Sequence, residues 1–223
     1  MVDIFDEVDE DLRAERVSRF ARRYAAALLG LAVLVVIGVG LWQAWTWHRQ
    51  QQDARAGTAF LAVLDSAGRQ GSASQRQTIA ASFAQVAATS PPGYATLARL
   101  NEASLLAESG QHAQADAIWQ PLMDDGSINP VLRQVAIMGW AAHDLDTAEP
   151  SLIQARLGPL SSADSPWRPL ALQYLALLDL RLGHRAEAIT ALQSVADDVS
   201  TPADMRSTAS SLAQALGAAA PQG

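Results

Sequence analysis

The sequence predicts an all-α protein in which a single N-terminal transmembrane helix is followed by a solenoid of helical hairpins. Three features lead to this prediction: a long uncharged apolar run, apolar residues at helical spacing beyond it, and an internal repeat of 73 residues. We divide the chain into four predicted segments. They are a cytoplasmic tail at 1–23, a transmembrane helix at 24–46, a helical-repeat domain beyond the membrane at 47–216, and a disordered tail at 217–223.

The apolar run covers residues 25–42 and reads AAALLGLAVLVVIGVGLW, without a charged side chain. Because an α-helix rises about 1.5 Å per residue, roughly 20 residues cross the ~30 Å hydrocarbon core of a bilayer. Trp42, Trp45 and Trp47 follow at the end of the run, where aromatic rings suit the membrane interface. The run therefore predicts a membrane-spanning helix.

The flanks of this helix predict its orientation. Two arginines, Arg49 and Arg55, follow the run, whereas five precede it: Arg13, Arg16, Arg19, Arg22 and Arg23. Since cytoplasmic flanks carry the excess of Arg and Lys, the N-terminus is expected in the cytoplasm. A cleaved signal peptide stays open as an alternative because residues 38–40 resemble a cleavage site, but its apolar region would be shorter.

Composition excludes several classes of function. The net charge of −7 argues against nucleic-acid binding, which calls for a basic face, and the absence of cysteine excludes disulfides and thiolate chemistry. About 175 residues remain beyond the anchor, enough for one domain with its own core. The first eleven residues hold six carboxylates and are expected to form a solvated tail or to dock on a basic partner.

Two helices are predicted between the anchor and the repeat. The first continues through about residue 66, with an apolar stripe at Ala56, Phe60, Val63, Leu64 and Ala67. The second covers residues 75–88 and ends at the sequence SPPG. Its apolar side is formed by Ile79, Phe83, Val86 and Ala87.

The internal repeat appears when the chain is offset by 73 residues, which places Gly110 over Gly183. The same offset matches Leu, Ala, Asp and Arg positions. The matches include Leu97 with Leu170, Ala103 with Ala176, Leu105 with Leu178, Ala115 with Ala188, Asp124 and Asp125 with Asp197 and Asp198, and Arg133 with Arg206. Half of this offset is close to the 34-residue helix–turn–helix unit of tetratricopeptide arrays, so the solenoid is predicted to be tetratricopeptide-like.

Each copy has the residues that such a hairpin needs. Gly110 or Gly183 closes the first helix, a small Ala lies at the helix crossing, and Trp119 or Leu192 fills the next layer. A degenerate pair of helices is predicted between the copies, at 130–143 and 149–157. A last helix at 202–216 is predicted to cap the stack, with Met205, Ala209, Leu212 and Leu216 on its apolar face.

At these residues the chain resembles the YfgM-like family, the ancillary subunit of the Sec translocon in Gram-negative bacteria. The resemblance lies in MVDIFDEVDEDLRAER, LLAESGQHAQADAIWQPLMDD and LDLRLGHRAEAITALQSVADD, and in the order of tail, anchor, aromatic cluster and repeats. It implies a single-pass protein of the bacterial inner membrane with a periplasmic domain. It also implies contact with the translocon, with a periplasmic chaperone or prolyl isomerase, and with unfolded chains emerging from the channel.

The residues themselves predict a protein that is not an enzyme. No HExxH, GxSxG or phosphate-loop motif occurs, so no catalytic residue, cofactor or metal site is expected. His112 and His184 lie beside the glycine turns and are interpreted as solvated turn residues. The repeated Asp124-Asp125 and Asp197-Asp198 pairs are interpreted as helix caps or local side-chain turns.

Partner binding is predicted on the concave face of the stack, which the first helix of each copy would line. The predicted groove positions are Leu100, Asn101, Ser104 and Glu108 in one copy, and Gln173, Tyr174, Leu177 and Arg181 in the other. These residues are not the set needed to clamp a terminal carboxylate, and packing between repeats is an equal alternative for them. An envelope scaffold that coordinates cell-wall synthesis or division is the alternative function, and the oligomeric state is left open.

Overall fold

The computed structural model describes the backbone of residues 4–68 and 72–218, and the side chains of residues 27, 29–68 and 72–218. Within these ranges the chain is all α-helical and contains no strand, so the predicted fold class is confirmed. The helices are α1 Ile4–Ala67, α2 Ala73–Thr89, α3 Pro92–Glu108, α4 His112–Asp124, α5 Pro130–Asp144, α6 Pro150–Leu157, a 3₁₀ helix Gly158–Ser161, α7 Arg168–Arg181, α8 Arg185–Asp197 and α9 Ala203–Ala218.

The chain divides into two compact parts, residues 1–54 and residues 55–223. Helix α1 contains one stretch, Leu29–Ala67, that is long and apolar enough to cross a membrane. None of the side chains in its most apolar window is buried. At the end of the apolar run, the Arg49 guanidinium carbon lies 4.2 Å from the centre of the Trp45 ring. The stretch is a candidate membrane span by length and composition.

The last turns of α1 belong to the second part and pack through the predicted apolar stripe. The Phe60 ring lies 5.6 Å from that of Phe83 on α2 and 6.2 Å from that of Tyr94 on α3, measured between ring centres. Leu64 departs from the stripe because it is 40% exposed. Helix α2 starts at a capping box, in which Ser72 and Gln75 each bind the other's backbone N–H.

The 73-residue offset relates three helices at a time. Helices α3, α4 and α5 form a first repeat, and α7, α8 and α9 form a second repeat. Helix α4 and helix α8 begin and end at equivalent positions, and Gly110 and Gly183 both adopt a left-handed conformation, with φ of 83° and 82°. Glycine adopts this conformation without the steric penalty of a Cβ atom, which explains why it closes α3 and α7.

Helix α9 is therefore the counterpart of α5 and not only a cap on the stack. It starts at Ala203, which is 73 residues after the start of α5 at Pro130. Its buried positions are Ala209 and Ala213, whereas Leu212, predicted on the apolar face, is 41% exposed. Helix α6 and the 3₁₀ helix lie between the two repeats. Residues 219–223 of the predicted tail lie outside the described residues.

The core consists of equivalent residues from both repeats. Fully buried alanines occupy the helix crossings and are listed in matching pairs: Ala98 and Ala171, Ala103 and Ala176, Ala115 and Ala188, Ala136 and Ala209. Trp119 on α4 replaces the smaller Leu192 of α8, and the first repeat makes room for it with Gly139 on α5. A Cβ atom on Gly139 would lie only 2.7 Å from Cη2 of the Trp119 ring.

We predict that Gly139→Ala destabilises the fold. Alanine favours a helix over glycine by about 1 kcal/mol, but overpacking a buried indole costs about 1–3 kcal/mol, so a net loss of about 1 kcal/mol is expected. Urea unfolding of the full chain in detergent, followed by circular dichroism, measures the loss. Gly93→Ala on α3 is the control, because its added Cβ meets no atom within 4 Å and should leave stability unchanged or raised. Equal stability of the two variants would contradict this packing argument.

Candidate functional site

The predicted groove residues of the first repeat do not all face solvent. Leu100 is 6% exposed and belongs to the core. The Asn101 side chain donates through Nδ2 to the Leu97 carbonyl of its own helix, at 2.8 Å. Ser104 is half-buried and Glu108 is exposed. In this repeat, Ser104 and Glu108 are the groove positions best placed to meet a partner.

The groove residues of the second repeat are also in mixed surroundings. Gln173 is half-buried, and its Nε2 is enclosed without a hydrogen-bond partner. Tyr174 packs against the core, and burial raises the pKa of its hydroxyl. Leu177 is 37% exposed. The two sets of predicted groove residues lie on α3 and α7. Helix α5 packs against both of these helices and so lies between the two sets. Partner binding by these residues stays a prediction.

Arg181 performs a structural task. Its Nη1 donates to the carbonyls of Leu145 and Ala148, at 2.8 and 2.7 Å. These carbonyls lie in the loop that follows α5, where a helix leaves its last acceptors unpaired. The guanidinium of Arg181 thus holds the α5–α6 loop against the end of α7. The equivalent residue in the first repeat is the exposed Glu108.

The repeated acid pairs form local side-chain turns, as the sequence predicts. Asp125 Oδ1 accepts a hydrogen bond from the Ser127 backbone N–H at 2.8 Å, and Asp198 Oδ1 accepts one from Ser200 at 2.9 Å. The serine hydrogen bonds hold the pKa of both carboxyls below the ordinary value. The turns connect α4 to α5 and α8 to α9, and they give both repeats the same connection.

Arginines on other helices reach these acid pairs differently in the two repeats. Arg168 at the start of α7 donates to Asp198 at 2.8 Å and to the Ser194 hydroxyl at 3.4 Å. In the first repeat, Arg156 on α6 donates to Asp124 at 2.6 Å and lowers the pKa of that carboxyl. Ala95 stands at the position equivalent to Arg168, so the first repeat has no arginine at that position.

A pocket of about 310 Å³ opens between α3 and α4 of the first repeat. Its lining consists of five apolar residues, Ala117, Ile118, Pro121, Leu122 and Ile128, and three charged residues, Arg99, Glu102 and Asp125. Successive residues of an α-helix are rotated by about 100° around its axis. Two pocket residues, Arg99 and Glu102, therefore lie on roughly the opposite side of α3 from the predicted groove positions Asn101, Ser104 and Glu108. The pocket is therefore on a different face from the predicted groove.

The sequence carried a signal for this pocket that motif reasoning missed. In the second repeat, Arg168 contacts Ser194 and Asp198, which correspond to Pro121 and Asp125 of the pocket lining. The first repeat has Pro121 where the second has Ser194, and Ala95 where the second has Arg168. The first repeat therefore cannot form these arginine hydrogen bonds. The pocket thus follows from positions where the two repeats differ, whereas the sequence comparison looked for positions where they agree.

The chemistry of the pocket suits an apolar side chain with a polar neighbour. Burial raises the pKa of Glu102, and the nearby Arg99 opposes that shift. Volumes near 300 Å³ are at the lower end of small-ligand sites, so one or two side chains of a protein partner match its size. Across the part of the chain with described side chains, no group of three or more His, Cys, Asp or Glu residues is arranged to hold a metal ion.

The two turn histidines each approach one carboxylate. His112 Nδ1 lies 3.6 Å from Asp144 Oδ1, and His184 Nδ1 lies 3.6 Å from Asp179 Oδ1. Both rings are about half exposed, in line with their interpretation as solvated turn residues. These distances describe ion pairs that form when the imidazole is protonated.

The fold and its contacts define a helical-repeat protein of the class that binds other proteins through stacked helices, an architecture that is typically not enzymatic. A family model described as tetratricopeptide repeat-like domain matches residues 18–146, more than half of the 223-residue chain. The chain belongs to this tetratricopeptide repeat-like family. No curated protein and no solved structure matches it.

The matched region reaches from α1 through α5 and so includes the whole first repeat. The second repeat begins beyond it, at Arg168, but follows the first in helix bounds, glycine turns and buried alanines. The tetratricopeptide-like prediction is confirmed at the level of this family. The narrower resemblance to an ancillary translocon subunit is taken up below as a proposal.

We predict that Arg181→Ala destabilises the domain by about 1 kcal/mol, because two charge-assisted hydrogen bonds to loop carbonyls are lost at an exposed site. Glu108→Ala, at the equivalent position, is the control and should change stability by less than about 0.5 kcal/mol. Urea unfolding of both full-length variants in detergent compares them. If Arg181→Ala left the stability unchanged, the structural role of Arg181 at the α5–α6 loop would be contradicted, and partner binding would be the better explanation of this residue.

Proposed function

We propose that this chain is a membrane-anchored protein-interaction module, an ancillary subunit of the Sec translocon that assists periplasmic chaperones with newly translocated proteins. The observation that carries the proposal is the union, in one chain, of a candidate membrane span with a tetratricopeptide repeat-like stack. The family resemblance in the sequence supports the translocon as the partner. The protein acts by binding and not by catalysis.

The proposed topology places the N-terminus in the cytoplasm and the repeats in the periplasm of a bacterium with two membranes. The arginines before the apolar run support this orientation through the positive-inside rule. Stacked helices beside the inner membrane would then meet polypeptides as they leave the channel. Unfolded segments expose apolar side chains, and these are the groups that the α3–α4 pocket is built to accept.

Partner contact is proposed at the pocket first and at the exposed groove positions second. Ile118, Leu122 and Ile128 would hold an apolar side chain of the client or of a chaperone, while Arg99 and Glu102 bind polar groups beside it. Ser104 and Leu177 are secondary contact points on the predicted groove. Leu100 and Arg181 have structural roles that leave them less available.

A photoreactive residue at Ala117, in the pocket lining, is predicted to crosslink to the translocon channel, a periplasmic folding factor or a newly translocated chain. Thr190 is the matched control, because it is equally exposed and stands at the equivalent position of α8 in the second repeat. Capture from detergent-solubilised membranes and mass spectrometry identify the products. Equal crosslinking at both positions would remove the pocket from the proposal.

The same experiment separates the translocon role from that of an envelope scaffold. Recovery of division or cell-wall synthesis proteins in place of the channel, together with septal fluorescence of a tagged copy, would favour the scaffold. Fluorescence along the whole membrane perimeter is expected for the translocon subunit.

Protease added to intact spheroplasts is predicted to degrade the repeats and leave a short N-terminal fragment. The reason is the proposed topology, in which the domain lies outside the inner membrane. Immunoblotting with N-terminal and C-terminal tags reads the result, and a cytoplasmic protein serves as the control for intact membranes. Survival of the C-terminal tag until the spheroplasts are lysed would contradict the topology.

A further inference from the structure

Two carboxyl groups meet where α4 packs against α5 in the first repeat. Asp144, at the end of α5, is only 3% exposed. Its Oδ1 accepts a hydrogen bond from the Thr147 hydroxyl at 3.2 Å, but its buried Oδ2 has no donor. A buried carboxylate oxygen without a donor is costly, so this atom requires a partner.

A group that can supply one is the carboxyl of Asp116, in the second turn of α4. Asp116 Oδ1 accepts a hydrogen bond from the Trp140 indole N–H at 3.1 Å, which fixes the orientation of the carboxyl group. His112 and Asp116, one turn apart on α4, contact Asp144 and Trp140, one turn apart on α5, which places the two carboxyl groups on facing turns of the two helices. Ionised carboxylates only accept, so a hydrogen bond between two of them needs a proton on one.

We propose that Asp116 and Asp144 share one proton, donated by Oδ2 of Asp116 to Oδ2 of Asp144, and that this carboxyl pair makes the α4–α5 contact sensitive to pH. The shared proton supplies the donor that Asp144 Oδ2 lacks. Burial raises the pKa of Asp116, and the charge of Asp144 adds to the shift, while the Trp140 hydrogen bond and His112 oppose it.

Two other charged side chains lie around the pair. From α4, His112 faces Asp144 Oδ1 at 3.6 Å and would pair with it when protonated. From α7, Arg181 binds the carbonyls of Leu145 and Ala148, in the loop that Asp144 begins. Protons therefore tighten the α4–α5 contact, and the α5–α6 loop connects that contact to the second repeat.

The second repeat provides an internal comparison. The positions equivalent to His112, Asp116 and Asp144 are Arg185, Ile189 and Gly217. Arg185 donates to the Leu216 carbonyl at the end of α9. Because a guanidinium stays charged at all accessible pH values, this contact does not titrate. The same helix junction is thus permanent in one repeat and proton-dependent in the other. The inference concerns the fold and does not rest on the proposed function.

The test compares urea unfolding midpoints of full-length wild type, Asp116→Asn and Asp116→Ala in detergent, from about pH 4, near the ordinary pKa of Asp, to about pH 8. The raised pKa of Asp116 means that the folded state binds the proton more tightly than the unfolded state. Stability from the pair is therefore present at acidic pH and lost as pH rises. The Asn amide donates to Asp144 at every pH, so the Asn variant should exceed wild type at alkaline pH, and the difference should shrink on acidification.

Asp116→Ala should fall below wild type at acidic pH, because Asp144 and Trp140 both lose a partner. Asp146→Asn, an exposed acid in the α5–α6 loop, is the control and should follow the wild-type profile. At the acidic end of this range, infrared spectra of the wild type should contain a protonated-carboxyl band that Asp116→Asn lacks. Parallel profiles of wild type and Asp116→Asn, or the absence of that band, would overturn the proposal.

Discussion

Close packing of helices at alanine crossings is the interaction on which the domain depends. Ala98, Ala103 and Ala115 in the first repeat, and their counterparts in the second, are completely buried. A small side chain lets two helix backbones approach, and larger residues between the crossings then interlock. The glycines at 110 and 183 set the reversal that brings each pair of helices together. With the crossings and the reversals repeated, the same three-helix arrangement is built twice.

The two repeats have the same arrangement of three helices but stabilise it with different polar contacts. The second repeat uses arginines, with Arg168 bridging the ends of α7 and α8 and Arg185 closing the end of α9. The first repeat places carboxyl groups and a histidine at one of these junctions and leaves a pocket at the other. Permanent charges suit a structural end of the stack, whereas an open pocket and titratable groups suit the part for which we propose partner contact.

Sequence reasoning was accurate where a local rule determined the outcome. The glycine turns and the Asp125 and Asp198 turns each depend on neighbours within a few residues. The helix predicted at 202–216 agrees with α9 to within two residues, but it was interpreted only as a cap. Its equivalence to α5 was missed because the offset that matched Arg133 with Arg206 was not extended to the whole helix. The groove prediction treated Leu100 and Arg181 as available to a partner. The burial of Leu100 and the long-range hydrogen bonds of Arg181 depend on helices distant in the chain, which the sequence pattern does not reveal.

The sequence by itself determined the all-α class, the apolar run, the repeat and the absence of cysteine chemistry, because composition and short-range periodicity carry these properties. Only the tertiary structure decided that Asp116 contacts Trp140, one turn from Asp144, that Arg181 holds the α5–α6 loop and that a pocket opens between α3 and α4. The physical reason is that helix packing brings together residues that are separated in the sequence by several helical turns or by a whole helix. Which side chains meet depends on the rotation of each helix about its axis, and that rotation is set by all its neighbours at once.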